Sequence, residues 1–242
     1  MSITISDVSY KFKNKPALID INVTLSAGFN VLLGPNGAGK STLLSLLTAQ
    51  RTLQHGSITF DESNIGTESR SIMAKLGVVF QQTTLDLDLT VLQNLTYFGA
   101  LHGLSAQTVL TRITPVLSQL ALLERLHDRV RALNEGHRRR VEIARGMIHQ
   151  PQYLLLDEAT VGLDVDSRKL ILEHIRALAA AEHITVLWTT HLMDEVAEND
   201  PVFILNQGKL IEQGICHELL VRYQQSSVFD LYRTLTQPQG LM

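Results

Sequence analysis

The chain has 242 residues, and its 45% apolar and 19% charged content is typical of a globular protein with a sizeable core. A net charge of −3 excludes the strongly basic composition of a general nucleic-acid binder. The single cysteine, Cys216, agrees with a reducing compartment, and without a signal peptide or a run of about 18 apolar residues we expect a cytoplasmic protein.

The first third of the chain predicts a small antiparallel sheet beside the start of a larger core. Apolar residues alternate with polar ones at the start, and buried apolar runs follow. The strands are predicted at residues 3–25, 29–33, 57–61 and 76–80. The leucines of residues 43–47 predict a helix, and we expect His55 and Gly56 to form a turn.

Between residues 86 and 150 the pattern changes to helical spacing with almost no strand signal. We expect breaks in these helices at Gly99, Gly103 and Pro115. Strand-like runs return at residues 153–156 and 184–188, with a helix over 168–181 between them and a closing hairpin over 202–211. Strands that alternate with helices imply a mainly parallel sheet.

The predicted fold is therefore α/β, with a mainly parallel sheet in its core. The core comprises residues 1–85 and 151–214 and includes an N-terminal antiparallel β-subdomain. We expect residues 86–150 to form an inserted helical subdomain. Residues 215–242 are predicted as a C-terminal helix and tail.

The stretch between the 29–33 strand and the next helix has the pattern of a phosphate-binding loop, which predicts that the α/β core is a phosphate-loop (P-loop) NTPase core. Its glycines allow successive backbone N–H groups to face a polyphosphate, and the helix N-terminus adds partial positive charge. Lys40 can reach the β- and γ-phosphates, and the Ser41 hydroxyl can hold Mg²⁺. The predicted nucleotide-binding residues here are Gly34, Pro35, Asn36, Gly37, Ala38, Gly39, Lys40, Ser41 and Thr42.

Polar residues also end two of the later apolar strands. Asp157 and Glu158 follow residues 153–156; in a phosphate-loop protein the first usually holds Mg²⁺ and the second can take a proton from the attacking water. His191 ends the apolar run that begins at Ile184, and ligands of parallel sheets bind at such carboxyl ends. A single histidine is more often a surface or core residue, so its position alone assigns no role.

The order of these stretches resembles the ATP-binding cassette (ABC) ATPases that drive membrane transport, over about residues 3–220. The resemblance implies that Glu158, His191 and Gln81 are catalytic, with His191 contacting the γ-phosphate and Gln81 sensing Mg²⁺ and the transport subunit. It also implies that Phe12 stacks on adenine. Tyr10 is a second candidate, and a strand core role is the competing interpretation of Phe12. The implied Mg²⁺ ligands are Ser41, Gln81 and Asp157.

The signature of that family, Leu-Ser-Gly-Gly-Gln, is matched by Leu133-Asn134-Glu135-Gly136-His137. In the family this stretch caps a helix and offers its N-terminus to ATP on the opposite subunit. Asn134 is a good N-cap. The Glu135 carboxylate would repel a γ-phosphate, so either its side chain points away or this half of the site is weak. Gly136, His137 and Asp164, the last in the D-loop (residues 161–164), complete the residues implied to act across subunits.

Three consecutive arginines, residues 138–140, could indicate a nucleic-acid patch. A solvated helix face is the preferred interpretation, because Glu142 stands four residues after Arg138. We expect no nucleic-acid partner.

The resemblance implies an ATPase that uses ATP and Mg²⁺. Its implied partners are a transmembrane permease, at the inner face of the cell membrane, and a second ABC ATPase subunit in a homodimer. Residues 81–90 and 160–164 resemble the exporter (ABC-2-type) branch, and residues 133–140 resemble a subgroup associated with PQQ-dependent alcohol oxidation. Two alternatives stay open: a non-transport ABC protein, and a cassette that binds ATP but hydrolyses it poorly.

Overall fold

The computed structural model describes residues 1–236, which form ten strands and eight α-helices. The strands are β1 (Ile3–Phe12), β2 (Lys15–Leu25), β3 (Gly28–Leu33), β4 (His55–Phe60), β5 (Ser63–Asn64), β6 (Leu76–Val79), β7 (Tyr153–Asp157), β8 (Thr185–Thr190), β9 (Pro201–Asn206) and β10 (Lys209–Ile215). The helices are α1 (Lys40–Leu47), α2 (Ile65–Met73), α3 (Val91–Leu101), α4 (Ala106–Gln119), α5 (Glu135–Met147), α6 (Val165–Glu182), α7 (Cys216–Arg222) and α8 (Val228–Thr236). None of these helices combines the length and the apolar character that a membrane crossing requires. The end of the predicted tail, residues 237–242, lies outside the described residues.

The larger sheet has the strand order β10-β9-β3-β8-β7-β6. Its neighbours pair in parallel except for β9 with β10, which form the predicted hairpin. Residues 153–157 of β7 and 185–190 of β8 are buried throughout, because both faces of such a sheet are covered. The carboxyl ends of β3, β7 and β8 therefore meet at one edge, where ligands of open α/β sheets bind.

The smaller sheet is antiparallel, with the order β2-β1-β4-β5. Its inward side chains Ile3, Ile5 and Ile21 are buried in one cluster with Leu46 of α1 and Leu187 of β8. This sheet therefore covers α1 and one face of the larger sheet. The predicted α/β fold class, with its N-terminal antiparallel sheet, is confirmed.

Two predictions for the first third of the chain were incomplete or wrong. His55 and Gly56 form no turn but begin β4, since His55 pairs with Ser9 of β1. Helix α2 was not predicted, because its sequence is short and only weakly apolar. It begins where the Asn64 side chain accepts a hydrogen bond from the Gly66 amide at 2.8 Å.

The segment between β6 and β7 is helical, and each of its long helices begins at a side-chain cap. Thr90 caps α3 in a reciprocal capping box, Ser105 caps α4 and Asn134 caps α5. The division into a core, an insert over 86–150 and a C-terminal segment stays a prediction.

Of the three predicted helix breaks, Gly103 follows the end of α3, but those at Gly99 and Pro115 are wrong. Gly99 lies inside α3 where α4 approaches closely: a Cβ there would overlap Val109 Cγ2. Pro115 lies inside α4, where it cannot donate to the Thr111 carbonyl. Both Pro115 and Thr111 are exposed, so water can satisfy that carbonyl.

Three aromatic rings in contact join the end of α3 to the segment after α5. The rings of Phe98 and His102 have centroids 5.0 Å apart, and His102 stacks on His149 at 4.2 Å with an interplanar angle of 7°. His149 Nε2 lies 3.2 Å from the Leu76 carbonyl oxygen. Burial, with nearby His102 and Arg112, lowers the pKa of His149 to about 4, so its ring is neutral at pH 7.

We expect the free energy of unfolding to fall as the pH decreases from about 6.5 to about 4. The pKa of His149 in the folded chain lies below its ordinary value, so in this window the unfolded chain binds a proton that the folded chain does not. His149→Gln keeps an N–H for the Leu76 carbonyl but does not titrate. Its loss of stability between pH 7 and pH 5 should be smaller than that of the wild type by about 1 kcal/mol.

Urea unfolding at the two pH values measures this difference. His55→Gln is the matched control, because His55 is exposed and the substitution is the same. If His149→Gln and the wild type lose equal stability, the buried ring is not the source of the pH dependence.

Candidate functional site

The phosphate-binding loop joins the end of β3 to the start of α1. Gly39 is the N-cap of α1 with a φ of 116°, and a Cβ there would lie 2.8 Å from the Ala17 carbonyl oxygen, so the position requires glycine. No side chain caps α1, which leaves the amide N–H groups of its first turn available to an anion. The predicted nucleotide-binding residues 34–42 thus surround a helix end with unused donors.

Lys40 and Glu158 form a buried ion pair beside this loop. Lys40 Nζ lies 3.0 Å from Glu158 Oε1, and the two side chains are 3% and 8% exposed. Lys40 also donates to the carbonyl oxygens of Gly34 at 2.6 Å and Pro35 at 3.1 Å. An ammonium has three donors, so protein atoms occupy all of them. A phosphate at this position must take over at least one of these contacts.

The three predicted catalytic side chains converge on one carboxylate oxygen. His191 Nδ1 lies 3.4 Å from Glu158 Oε2, and Gln81 Nε2 lies 3.5 Å from the same atom. Glu158 itself has a φ of 46°, in the left-handed region that non-glycine residues rarely adopt. Such a conformation costs about 1–3 kcal/mol, is maintained by surrounding contacts and is common at functional sites.

Thr189 of β8 is hydrogen-bonded to both acidic residues and was not among the predicted site residues. Its hydroxyl donates to Asp157 Oδ1 at 2.8 Å and accepts from the Glu158 amide at 3.1 Å. This contact follows from the pairing of β7 with β8, which sets Thr189 opposite Asp157. A threonine inside an apolar run gives no sign of the contact until that register is known.

A cleft of about 630 Å³ lies over the loop, which is within the usual size range of ligand pockets. Its lining residues are Phe12, Lys15, Pro16, Ala17, Asn36, Gly37, Gly39, Lys40, Ser41, Thr42, Gln81, Glu158, Gln207 and Gly208. The start of β2 (residues 15–17) and the β9–β10 turn (residues 207–208) were not predicted to line the site. Their residue types indicate only turns, yet Gly208 donates its amide N–H to the Ala38 carbonyl at 2.8 Å and so braces the loop.

Phe12 lines this cleft with an exposed ring. Its side chain is 41% exposed, which opposes the interpretation of Phe12 as a core residue. The Arg51 guanidinium carbon lies 4.7 Å from the Phe12 ring centroid, and Tyr10 packs edge-on at 5.1 Å. Tyr10 is half-buried and does not line the cleft, so Phe12 is the better placed of the two candidates.

The predicted magnesium ligands are chemically suited to that ion. Ser41 and Gln81 line the cleft, and Asp157 directly precedes the cleft residue Glu158. Hydroxyl, amide and carboxylate oxygens are the donors that Mg²⁺ prefers in proteins. The residues present therefore fit the ion.

The signature residues begin α5 but do not line this cleft among the described residues. Asn134 is the N-cap of α5, and its Oδ1 accepts from the His137 amide at 2.8 Å. Burial and the nearby Arg140 guanidinium lower the pKa of His137. The exposed Glu135 carboxylate packs against the D-loop of its own chain, since a Cβ on Gly162 would lie 3.4 Å from Glu135 Oε1.

Asp164 likewise caps a helix and does not line the cleft. Its Oδ1 accepts from the Ser167 amide at 2.9 Å at the start of α6, and this bond lowers the pKa of Asp164. Gly136 lies beside this cap: a Cβ there would lie 3.2 Å from Ser167 Oγ. The first turns of α5 and α6 are therefore neighbours.

The expected solvated face at residues 138–140 is wrong. Arg139 and Arg140 are only 4% and 9% exposed, and Glu142 is 1% exposed. Glu142 pairs with Arg139 at 2.8 Å, and Arg140 donates to the Leu120 carbonyl at 2.9 Å. These side chains are directed into protein contacts because α5 packs between the end of α4 and the loop after β6.

Helix α5 also holds the loop that carries Gln81. Arg139 donates to the Gln81 carbonyl at 2.7 Å, Glu142 accepts from the Thr84 amide at 2.8 Å, and Arg145 donates to the Thr84 carbonyl at 3.0 Å. The three side chains are spaced by one helical turn and share a face. Burial raises the pKa of Glu142, while the Thr84 amide and Arg139 oppose that rise. The helix that begins at the signature is thus fastened to the Gln81 loop.

Comparisons with known proteins agree with this geometry. The family described as ABC transporter matches residues 18–161. The chain is 36% identical over 235 residues to Nod factor export ATP-binding protein I of Rhizobium johnstonii, covering 96% of this chain and 75% of that protein. It is 34% identical over 224 residues to the ABC transporter ATP-binding protein NatA of Bacillus subtilis, covering 90% and 91%.

A solved structure has the same fold. It is cbiO1 from Clostridium perfringens, described as part of the ABC transporter complex cbiONQ, with a TM-score of 0.83 at 26% identity over 92% of this chain and 91% of that one. The family match spans more than half of the chain. The chain therefore belongs to the ABC transporter family, as an ATP-binding subunit with ATPase activity.

Proposed function

We propose that the cleft over the phosphate-binding loop is the ATP site. The triphosphate binds the free amides of the loop and Lys40, and the adenine stacks on Phe12. Three features support this: an uncapped helix end, a buried lysine beside it and an exposed aromatic ring that lines the same cleft.

The same site would hold Mg²⁺ through Ser41, Gln81 and Asp157. When bound, the ion neutralises charge on the β- and γ-phosphate oxygens. The Thr189 hydroxyl orients the Asp157 carboxylate, because it donates to Oδ1 at 2.8 Å. Thr189 therefore supports the metal ligand without touching nucleotide.

The ion pair between Lys40 and Glu158 is the observation that carries the hydrolysis mechanism. When the γ-phosphate binds the Lys40 ammonium, the ion pair between Lys40 and Glu158 breaks. The carboxylate is then free to accept a proton from the attacking water. His191 lies 3.4 Å from Glu158 Oε2 and supplies a donor for the charge that develops on the phosphoryl oxygens.

A second subunit completes the site. Asn134 and Asp164 cap two neighbouring helices outside the cleft of their own chain, and residues 135–137 form the first turn after the Asn134 cap. We infer that they contact ATP held by another copy, so that two chains enclose two nucleotides head to tail. Hydrolysis then releases the pair.

The partner in the membrane is proposed to be a separate permease, with this chain on the inner, cytoplasmic face. Export is the favoured direction, because one relative is named a Nod factor export protein. The association with PQQ-dependent alcohol oxidation stays a prediction, since the features that suggest it are confined to residues 133–140.

We expect Glu158→Gln to bind MgATP but to hydrolyse it at about one hundredth of the wild-type rate or below. The amide keeps the shape of the side chain but cannot accept the proton of water, and Lys40 loses its competing carboxylate. Phosphate release measures turnover, and equilibrium dialysis with MgATP measures binding.

Glu173→Gln on α6 is the matched control, because Glu173 is exposed. If Glu158→Gln hydrolyses ATP as fast as this control, Glu158 is not the base. If the wild type does not bind ATP, the proposed site is wrong.

We expect Glu135→Gln to increase kcat/KM for ATP by about two- to fivefold at low salt, with a smaller gain at high salt. The substitution removes a negative charge at the helix end that we propose meets the γ-phosphate of the partner subunit. Steady-state turnover at two ionic strengths measures the effect.

Glu124→Gln is the control for this variant, because Glu124 is an exposed glutamate in the same helical segment. An unchanged kcat/KM in Glu135→Gln at both ionic strengths would show that the Glu135 carboxylate points away from the phosphates.

A further inference from the structure

Glu195 is a buried carboxylate that lies outside the ATP cleft. It ends the short 3₁₀ turn Met193–Glu195, which follows His191, and it is 2% exposed. One carboxylate oxygen accepts a hydrogen bond from the Thr160 hydroxyl. The other accepts from the Trp188 indole Nε1 at 3.0 Å. Thr160 and Trp188 are themselves 1% and 0% exposed.

The side-chain hydrogen bonds of this carboxylate come from neutral donors. None of the salt bridges formed within residues 1–236 includes it. The nearby Arg176 donates to the Glu195 backbone carbonyl at 2.8 Å and pairs with Asp200 instead. A buried carboxyl group with only two neutral donors is costly for stability. Its presence suggests a role beyond packing.

Its two partners flank the residues proposed to cut ATP. Thr160 follows Glu158 by two positions, and the intervening turn is closed by the bond from the Val161 amide to the Glu158 carbonyl at 3.2 Å. Trp188 lies on β8, and His191 follows it by three positions, directly after the strand ends. One side chain thus connects the chain segment after Glu158 to the strand that carries His191.

We propose that Glu195 is a positioning residue for ATP hydrolysis, which sets the separation of Glu158 and His191 through its bonds to Thr160 and Trp188. This inference rests on the proposed function of the site. Glu195 touches neither nucleotide nor water in this mechanism. Displacement of Thr160 would move Glu158, and displacement of Trp188 would move His191. Either movement would change the 3.4 Å separation between His191 Nδ1 and Glu158 Oε2.

The same contact connects the D-loop to the site. The D-loop begins directly after Thr160, and the Leu163 amide donates to the Thr160 carbonyl at 3.1 Å. Movement of residues 161–164 by a second subunit would therefore act on Glu195 and, through it, on Trp188 and β8.

The test compares Thr160→Val, which removes the hydroxyl at nearly constant volume, with Thr160→Ser, which keeps it. Thr185→Val is the matched control, because Thr185 is buried like Thr160. Thr185 begins β8, and its hydroxyl donates to the Met1 carbonyl at 2.9 Å, away from the cleft. The full-length variants are assayed for MgATP hydrolysis and for MgATP affinity. Trp188 is the only tryptophan, so intrinsic fluorescence reports directly on the Glu195 contact.

We expect Thr160→Val to lower kcat by roughly tenfold or more while the Kd for MgATP changes less than about twofold. Thr160→Ser should restore kcat, and Thr185→Val should match the wild type in kcat and in tryptophan emission. The tryptophan emission of Thr160→Val should differ from that of the wild type and that of Thr185→Val. If Thr160→Val does not fold, Trp188→Phe removes the other donor and should give the same loss of kcat at unchanged Kd.

A wild-type kcat in Thr160→Val would overturn the inference, as would an equal loss in Thr185→Val. Those outcomes leave the proposed function intact, because the wild type still binds and hydrolyses ATP. If the wild type itself does neither, the proposed function fails and this inference fails with it.

Discussion

The ion pair between Lys40 and Glu158 is the contact on which the site depends, because it joins the phosphate loop after β3 to the end of β7. These strands are not neighbours: β8 lies between them and contributes His191 and Thr189. Three parallel strands thus deliver a lysine, two carboxylates and a histidine to one edge. An antiparallel arrangement would place alternate strand ends on opposite edges and disperse these groups.

Much of the fold could be predicted because its strongest signals are local. The apolar runs of β3, β7 and β8 and the hairpin of β9 and β10 are visible in the residues themselves. The mistaken breaks at Gly99 and Pro115 show the limit of that approach. Gly99 is set by the approach of α4, and Pro115 is tolerated because the carbonyl it leaves unpaired belongs to an exposed residue. Neither circumstance is encoded within a few residues of the position.

The site divides in the same way. The loop residues and the Asp157–Glu158 pair combine a local pattern with a specific chemistry, so the sequence indicates them. Thr189 and Gly208 have unremarkable surroundings in sequence and become relevant only through strand register and the hairpin's position over the loop. Arg139 and Arg140 mislead for a related reason: charge alone suggests solvent, whereas the Gln81 and Leu120 carbonyl groups that accept their hydrogen bonds are distant in sequence.

The attachment of α5 to the loop at Gln81 and Thr84 has a thermodynamic consequence. A partner that binds the loop and a ligand that binds at the start of α5 therefore contact the same hydrogen-bonded unit, which consists of the loop and the helix. Linkage then requires reciprocity: if the first changes the affinity for the second by some factor, the second changes the affinity for the first by that same factor. The influence of transported cargo on nucleotide occupancy, and of nucleotide on cargo, would be two measurements of a single coupling free energy.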